Sequence, residues 1–442
     1  MTKTIEEATK GLIDSLKQAC SSHGLGNSGN EYKIIVQVFL YKYFNDKFGY
    51  EAKRARVYGK RLSAAEKWDA EYDTFTEDEV EALFTYLPAG TPRLKPIHTI
   101  AHLYNAQKQG DFATLFDSTL KDIALLNAGI FSISTGSKTK VSIFDDRLIG
   151  AAIVEDVKRD EFAVALMRHI ADPEANFEPM FSEKYDFFST MFEYLIKDYN
   201  KDGGGTYAEY YTPRSIAQIM AKLLVGDARD LRGVTCYDPS AGTGTLLMAL
   251  AHQVGEDRCT IYSQDISQKS SQMLRLNLIL NNLVGSLQNV IEGNTLKRQE
   301  HREPDGTAQK FDFIVSNPPF FNNSLKSPDR KRNLARHTES LPFSELIECC
   351  IQMLSPTGKA TLILPPAEAD IFTGMAEKKG LFSSSRIMIF NKPDREVVRV
   401  IFTLQKTKPY DTYVSELAIR NLDDTYTDEY LNLTRDFYTF IK

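Results

Sequence analysis

A chain of 442 residues with 42% hydrophobic content can form two or three domains with ordinary globular cores. Its formal charge of -6, with Lys and Arg nearly balancing Asp and Glu, is more usual for an enzyme with no nucleic-acid role, and it requires any DNA clamp to be local or shared with a second subunit. Five cysteines, Cys20, Cys236, Cys259, Cys349 and Cys350, form no CxxC pair, which points to a reducing, cytoplasmic compartment, and no stretch is long and apolar enough to span a bilayer.

Residues 1–170 read as a mainly helical N-terminal domain suited to clamping or subunit contact. Ile5 to Ala19 has apolar positions at helical spacing, and Tyr32 to Phe44 is apolar enough for a buried helix. Thr76-Glu77-Asp78-Glu79 before Val80 predicts a helix capped by Thr76, with Glu79 completing the box. Pro88 to Pro92 breaks the chain, and helix resumes from about His98. Ser132 to Lys140 is polar and predicts a loop. Within it, Gly136-Ser137-Lys138-Thr139 lacks the preceding glycine and strand of a phosphate loop. Further helices are expected near Glu161 and over Tyr185 to Tyr199, before a flexible Lys201-Asp202-Gly203-Gly204-Gly205.

Residues 171–442 are expected to form the second domain, with a short C-terminal extension. Tyr207-Ala208-Glu209-Tyr210-Tyr211-Thr212-Pro213 precedes a helix over Ser215 to Leu223. Thr212 suits its cap and Pro213 its first turn, while Tyr211 could cover part of a cofactor. Strands and helices then alternate. Strands are expected at Val234–Tyr237, Cys259–Gln264, Asn289–Glu292, Phe311–Ser316, Ala360–Leu364, Arg386–Phe390 and Val397–Leu404. This alternation predicts an α/β, doubly wound, mainly parallel sheet of Rossmann-like type. The last pair, separated only by Asn391 to Glu396, is too close for a parallel crossover.

Asp238-Pro239-Ser240-Ala241-Gly242-Thr243-Gly244 follows the first of these strands and opens a helix. Gly242 and Gly244 let the backbone turn and a ligand approach the strand tip. An acid and a proline at its head favour an amino-acid head group over a pyrophosphate. Asp265 closes the next strand, where a carboxylate can accept the two ribose hydroxyls of a nucleoside. The alternative is that Asp265 caps the following helix. Asn294, after the third strand, could bond the adenine edge of the same cofactor.

The strand Phe311–Ser316 leads into Asn317-Pro318-Pro319-Phe320. The side-chain oxygen of Asn317 and the Pro318 carbonyl could receive the two hydrogens of a planar amine, turning its lone pair toward a methyl donor, and Phe320 could stack on an extruded base. Transfer from a positively charged sulfur needs alignment more than a strong base. No Pro-Cys pair exists, which excludes a covalent cytosine-C5 route by the usual motif. Lys326, Arg330, Lys331, Arg332 and Arg336 follow and are candidate DNA-phosphate contacts.

In the order helical region, YYTP, DPSAGTG, SNPPF, the chain resembles the modification (M) subunits of type I restriction-modification systems and the γ-ordered amino methyltransferases. The resemblance implies S-adenosyl-L-methionine as donor, held around Tyr207 to Thr212, Asp238, Ser240, Ala241, Gly242, Gly244, Asp265 and Asn294. It implies Asn317, Pro318, Pro319 and Phe320 at the base, and N6-methyladenine in DNA as product. It also implies a specificity (S) subunit, a second M subunit and a restriction (R) subunit as partners, with no metal. Phe321-Asn322 departs from the small or polar residues common after that motif. An RNA or protein-glutamine methyltransferase, and a catalytically idle DNA-binding scaffold, are the alternatives.

Overall fold

The computed structural model describes residues 5–26, 28–108, 110–131, 133–134, 140–181, 194, 212–226, 228, 230–318 and 342–434. The chain divides into two units, Met1–Glu209 with Ile279–Val284 and Tyr210–Leu278 with Gly285–Lys442.

The first unit is built on helix Gly29–Ala52, which starts where the Ser28 hydroxyl accepts from Glu31 N at 3.2 Å. Ile35, Val38, Phe39, Tyr41, Phe44 and Phe48 are all buried on it. Apolar residues around the whole circumference demand neighbours on every side, and helices Ile5–Ser22 and Asp156–Ile170 pack against it. Its polar residues are paired inside: Lys42 Nζ lies 3.0 Å from Asp46 Oδ1, and Asp46 Oδ2 accepts from Phe177 N at 3.0 Å. Helix Glu77–Thr85 begins at Thr76 with both halves of the expected capping box. The helix expected from about His98 opens as a 3-10 turn, Pro96–His98. The α-helix Ile100–Ala106 follows, because Thr99 caps it by accepting from His102 N at 3.2 Å. Two short antiparallel strands, β1 (Ile133–Ser134) and β2 (Lys140–Val141), stand where only a loop was expected. Gly136–Thr139 and Lys201–Gly205 lie outside the described residues, as does Tyr185 to Tyr199 except the helical Tyr194.

The second unit carries a sheet of eight strands: β3 (Val234–Asp238), β4 (Cys259–Asp265), β5 (Val290–Glu292), β6 (Phe311–Ser316), β7 (Leu354–Leu364), β8 (Phe382–Phe390), β9 (Val397–Gln405) and β10 (Tyr413–Ala418). Their order is β10-β8-β9-β7-β6-β3-β4-β5. β9 alone runs antiparallel to its neighbours, β7 and β8, as the short link between the last two expected strands requires. The others pair parallel. The edge strand β10 has no counterpart in the sequence reading: Tyr413 and Val414 are exposed and only Leu417 is fully buried, so its apolar pattern is weak.

Helices Phe343–Met353 and Pro366–Lys378 cover the sheet through Leu346, Ile347 and Phe372, which join Phe311, Ile314, Leu362 and Phe402 in one core. The chain leaves β3 toward β4 and β5 on one side, whereas β6 and β7 lie on the other. The order therefore reverses between β3 and β6, which opens a crevice at their carboxyl ends. Among the described residues no helix is long and apolar enough to cross a membrane.

Candidate active site

Five neighbouring chain segments converge on that crevice: the ends of β3, β4, β5 and β6, and the approach to helix Arg214–Val225. Asp238 closes β3 with only 1% of its surface exposed. Its Oδ1 accepts from Ser240 N at 2.9 Å. Burial, reinforced by the nearby Asp265 carboxylate, pushes its carboxyl up to about 8 against the pull of the Ser240 hydrogen bond. Ala241 is buried. Gly242 and Gly244 take positive φ, 53° and 84°, so the turn needs residues without a Cβ. At Gly244 a Cβ would also lie 2.0 Å from Leu274 Cδ1. Helix Thr245–Val254 starts directly after it.

The cap weighed for Asp265 falls instead to Ser267, whose Oγ accepts from Ser270 N at 3.2 Å at the start of helix Gln268–Leu280, and Asp265 shapes the turn before it. Its Oδ1 accepts from Ser267 N at 2.8 Å. Its Oδ2 reaches back to accept from Gly242 N, also at 2.8 Å, tying the glycine turn to β4. Each oxygen keeps a second lone pair, so the bonds aim the carboxylate without exhausting it. Burial raises its pKa from the usual carboxylate value. Asn294 Oδ1 likewise accepts from Leu296 N and Lys297 N, at 3.0 and 3.3 Å, and shapes the turn after β5.

At the end of β6, Ser316 is buried and its hydroxyl lies 2.8 Å from that of Ser240. Asn317 follows, half-buried, and its Nδ2 donates to Thr212 Oγ1 at 3.2 Å. Thr212 does not cap the next helix as expected. That helix begins at Arg214 with Pro213 as its cap residue and no side-chain cap bond. Pro318 is buried. Tyr207, Tyr211, Pro319, Phe320, Lys326, Arg330, Lys331, Arg332 and Arg336 lie outside the described residues.

Sequence reasoning assigned no role to Ser316, Thr295, Gln264 or His301. Thr295 Oγ1 donates to Pro239 O at 2.9 Å, and the Gln264 amide donates to Arg298 O at 2.7 Å while accepting from Glu300 N at 3.1 Å. These bonds hold the segment after β5 against the cofactor turn. His301 Nε2 donates to Ser263 O at 3.1 Å inside a box of Tyr237, Tyr262 and Phe311. Burial pulls its pKa down to about 4, so it is neutral. Only Ser316, adjoining the NPPF turn, carried a signal that could have found it. Cys349 and Cys350 are buried in helix Phe343–Met353, and burial pushes the Cys349 thiol up to about 12. Among the described residues no group of three or more His, Cys, Asp and Glu could hold a metal ion.

Residues 183–379, which carry these segments, match the family model described as N-6 DNA Methylase. A tRNA1(Val) (adenine(37)-N6)-methyltransferase of Bacteroides fragilis is 32% identical over 199 residues, covering 45% of this chain and 80% of that protein. The chain belongs to the N6-methyltransferase family. The enzyme of the same name from Trichodesmium erythraeum is 30% identical over 216 residues, 49% of this chain and 87% of its own length. Among solved structures, the type I restriction-modification methyltransferase subunit of Streptococcus thermophilus superposes with a TM-score of 0.66 at 17% identity, covering 97% of this chain and 92% of that one. That likeness establishes a shared fold, a helical unit followed by the α/β core of S-adenosylmethionine-dependent methyltransferases.

These relatives correct the expectation of a type I modification subunit that methylates adenine in DNA. The family members matched by sequence are named for an adenine in tRNA. The error has a physical origin. DPSAGTG and NPPF describe a cofactor and an exocyclic amine, and adenine presents the same amine on ribose and on deoxyribose. What separates RNA from DNA is contact with the 2′-hydroxyl and the strand's shape, made away from these motifs.

Proposed function

We propose that the chain transfers a methyl group from S-adenosyl-L-methionine to adenine N6 in RNA. The observation that carries the chemistry is Asn317 at the carboxyl end of β6, beside the Asp238–Gly244 turn, with its amide nitrogen committed to Thr212. Its sequence relatives, named for a tRNA adenine, favour RNA as the polymer. The residues present fit the cofactor: Asp238 is a buried acid whose raised pKa a bound cation would lower, and Asp265, at the next strand end, is complementary to a diol.

When bound, S-adenosylmethionine supplies an electrophilic methyl carbon and leaves as a neutral thioether. The protein aligns the acceptor. Asn317 Oδ1 and the Pro318 carbonyl accept the two amine hydrogens, which directs the nitrogen lone pair at the methyl carbon. Asn317 Oδ1 and the Pro318 carbonyl would hold the amine through the transfer, and the methylated amine would then lose one N–H proton to water. Tyr207, Tyr211, Ser240, Ala241 and Asn294 complete the cofactor cradle in this reading, with Pro319 and Phe320 assigned to the base. The basic residues from Lys326 to Arg336 reach the backbone phosphates. Partner chains in a reducing cytoplasm belong to the same reading, supported by the whole-length likeness to a subunit of a larger enzyme.

Incubation with label-bearing methyl donor, followed by nucleoside analysis, tests it on unmodified tRNA and on DNA. The expected product is N6-methyladenosine in the RNA. Label in DNA alone, or in a protein glutamine, overturns the substrate assignment.

A further inference from the structure

Thr212 precedes Pro213, which takes the cap position of the twelve-residue helix Arg214–Val225 that the sequence assigns to Thr212. The helix starts without a side-chain cap. The Thr212 hydroxyl is directed 105 positions along the chain, to Asn317. One residue short of the cap position, it makes a long-range contact with the amide that faces the reacting amine.

An asparagine carboxamide is nearly symmetric in shape: a half-turn exchanges its donor and its acceptor. To receive a hydrogen of an amine, Oδ1 must face the target. In the rotated form two N–H donors would oppose each other and the bond would be lost. A hydroxyl can donate as well as accept, so the bond to Thr212 Oγ1 at 3.2 Å holds the plane of the amide, and the target amine itself selects the form with Nδ2 on the Thr212 side and Oδ1 on the other. The backbone at this point is held separately, by the Ser316 and Ser240 hydroxyls 2.8 Å apart, so the Thr212 contact controls the plane of the amide rather than the position of the strand end.

We propose that Thr212 is a positioning residue that fixes the plane of the Asn317 amide for transfer, a role beyond the cofactor contact and helix cap expected of it. It acts through Asn317, and the inference rests on the reading of Asn317 as the acceptor of the target amine.

The test compares Thr212→Val, which keeps the shape and removes the hydroxyl, with Thr212→Ser, which restores it. At saturating cofactor, on whichever polynucleotide the wild-type protein methylates, the valine variant should lose about tenfold in kcat. Its cofactor Kd by calorimetry should stay within about twofold, and the serine variant should recover most of the rate. In an Asn317→Ala background, Thr212→Val should cost nothing further. Independently of activity, asparagine-selective 15N labelling should show the Asn317 side-chain NH2 signal, assigned by its loss in Asn317→Ala, shifting in the valine variant and returning in the serine one. Losses that multiply in the double variant, or an unshifted NH2 signal, overturn the proposal. Weakened cofactor binding with kcat unchanged makes Thr212 a cofactor ligand instead. Label appearing in DNA rather than RNA sinks the substrate reading alone and leaves this comparison intact.

Discussion

At the scale of single residues, the proposed function assigns alignment and cofactor binding to different side chains. Asn317→Ala should lower kcat by roughly 100-fold, comparable to removing one preorganised hydrogen-bonding group at a reacting centre, with cofactor affinity retained. Asp265→Asn should do the reverse, weakening the cofactor about tenfold. The amide is chosen over alanine because its single oxygen keeps one of the two backbone donors the carboxylate receives, Gly242 N and Ser267 N, whereas alanine would orphan both. Calorimetry alongside single-turnover rates checks both, and interchanged patterns would refute the assignment. Asp238 makes a pH prediction. Its folded pKa is raised to about 8, whereas an unfolded aspartate titrates near ~3.9. Between those values the folded chain holds the extra proton, so this group's stabilising contribution is full below about 4 and is lost as pH rises toward about 8. Asp238→Asn should flatten the fall in Tm across that window. A wild-type Tm with the same slope as the variant would show that Asp238 does not titrate there.

At the scale of elements, most of the α/β unit was legible because short strands ended by turn residues alternate with amphipathic helices. Phe311–Ser316 emerged with the expected bounds, and β3, β4 and β5 within one residue at each end. β7 extends back across an irregular Ser355-Pro356-Thr357-Gly358 to Leu354, which pairs with Phe311, and β8 extends to Phe382 through three serines, because pairing with neighbouring strands is not announced by side-chain patterning. The glycine turn shows the opposite case, a local sequence enforced by tertiary contact. Gly244→Ala meets both the positive φ and Leu274, so it should destabilise the protein by more than about 1 kcal/mol and weaken cofactor binding with it. A denaturant midpoint equal to that of the wild type would contradict this.

At the scale of the whole molecule, the charge of -6 limits how much of the surface can follow a nucleic-acid backbone. Binding of tRNA to the isolated chain should show a shallow salt dependence, with log K against log salt falling with a slope smaller in magnitude than about 4, the mark of few phosphate contacts. A steep slope would reveal a long basic track. The sequence by itself determined the order of the segments and a mainly parallel sheet whose last two expected strands pair antiparallel, and it pointed to an amine acceptor beside a nucleoside-binding turn. It could do so because periodicity, turn residues and motif spacing are local properties of the chain. Only the tertiary structure decided that Thr212 serves Asn317 rather than its own helix, that Ser316 meets Ser240, and that Asp265 fastens the glycine turn. Each of these bonds joins residues distant in sequence whose side chains could equally have been satisfied locally, and only the packing of the strand ends chooses between the two.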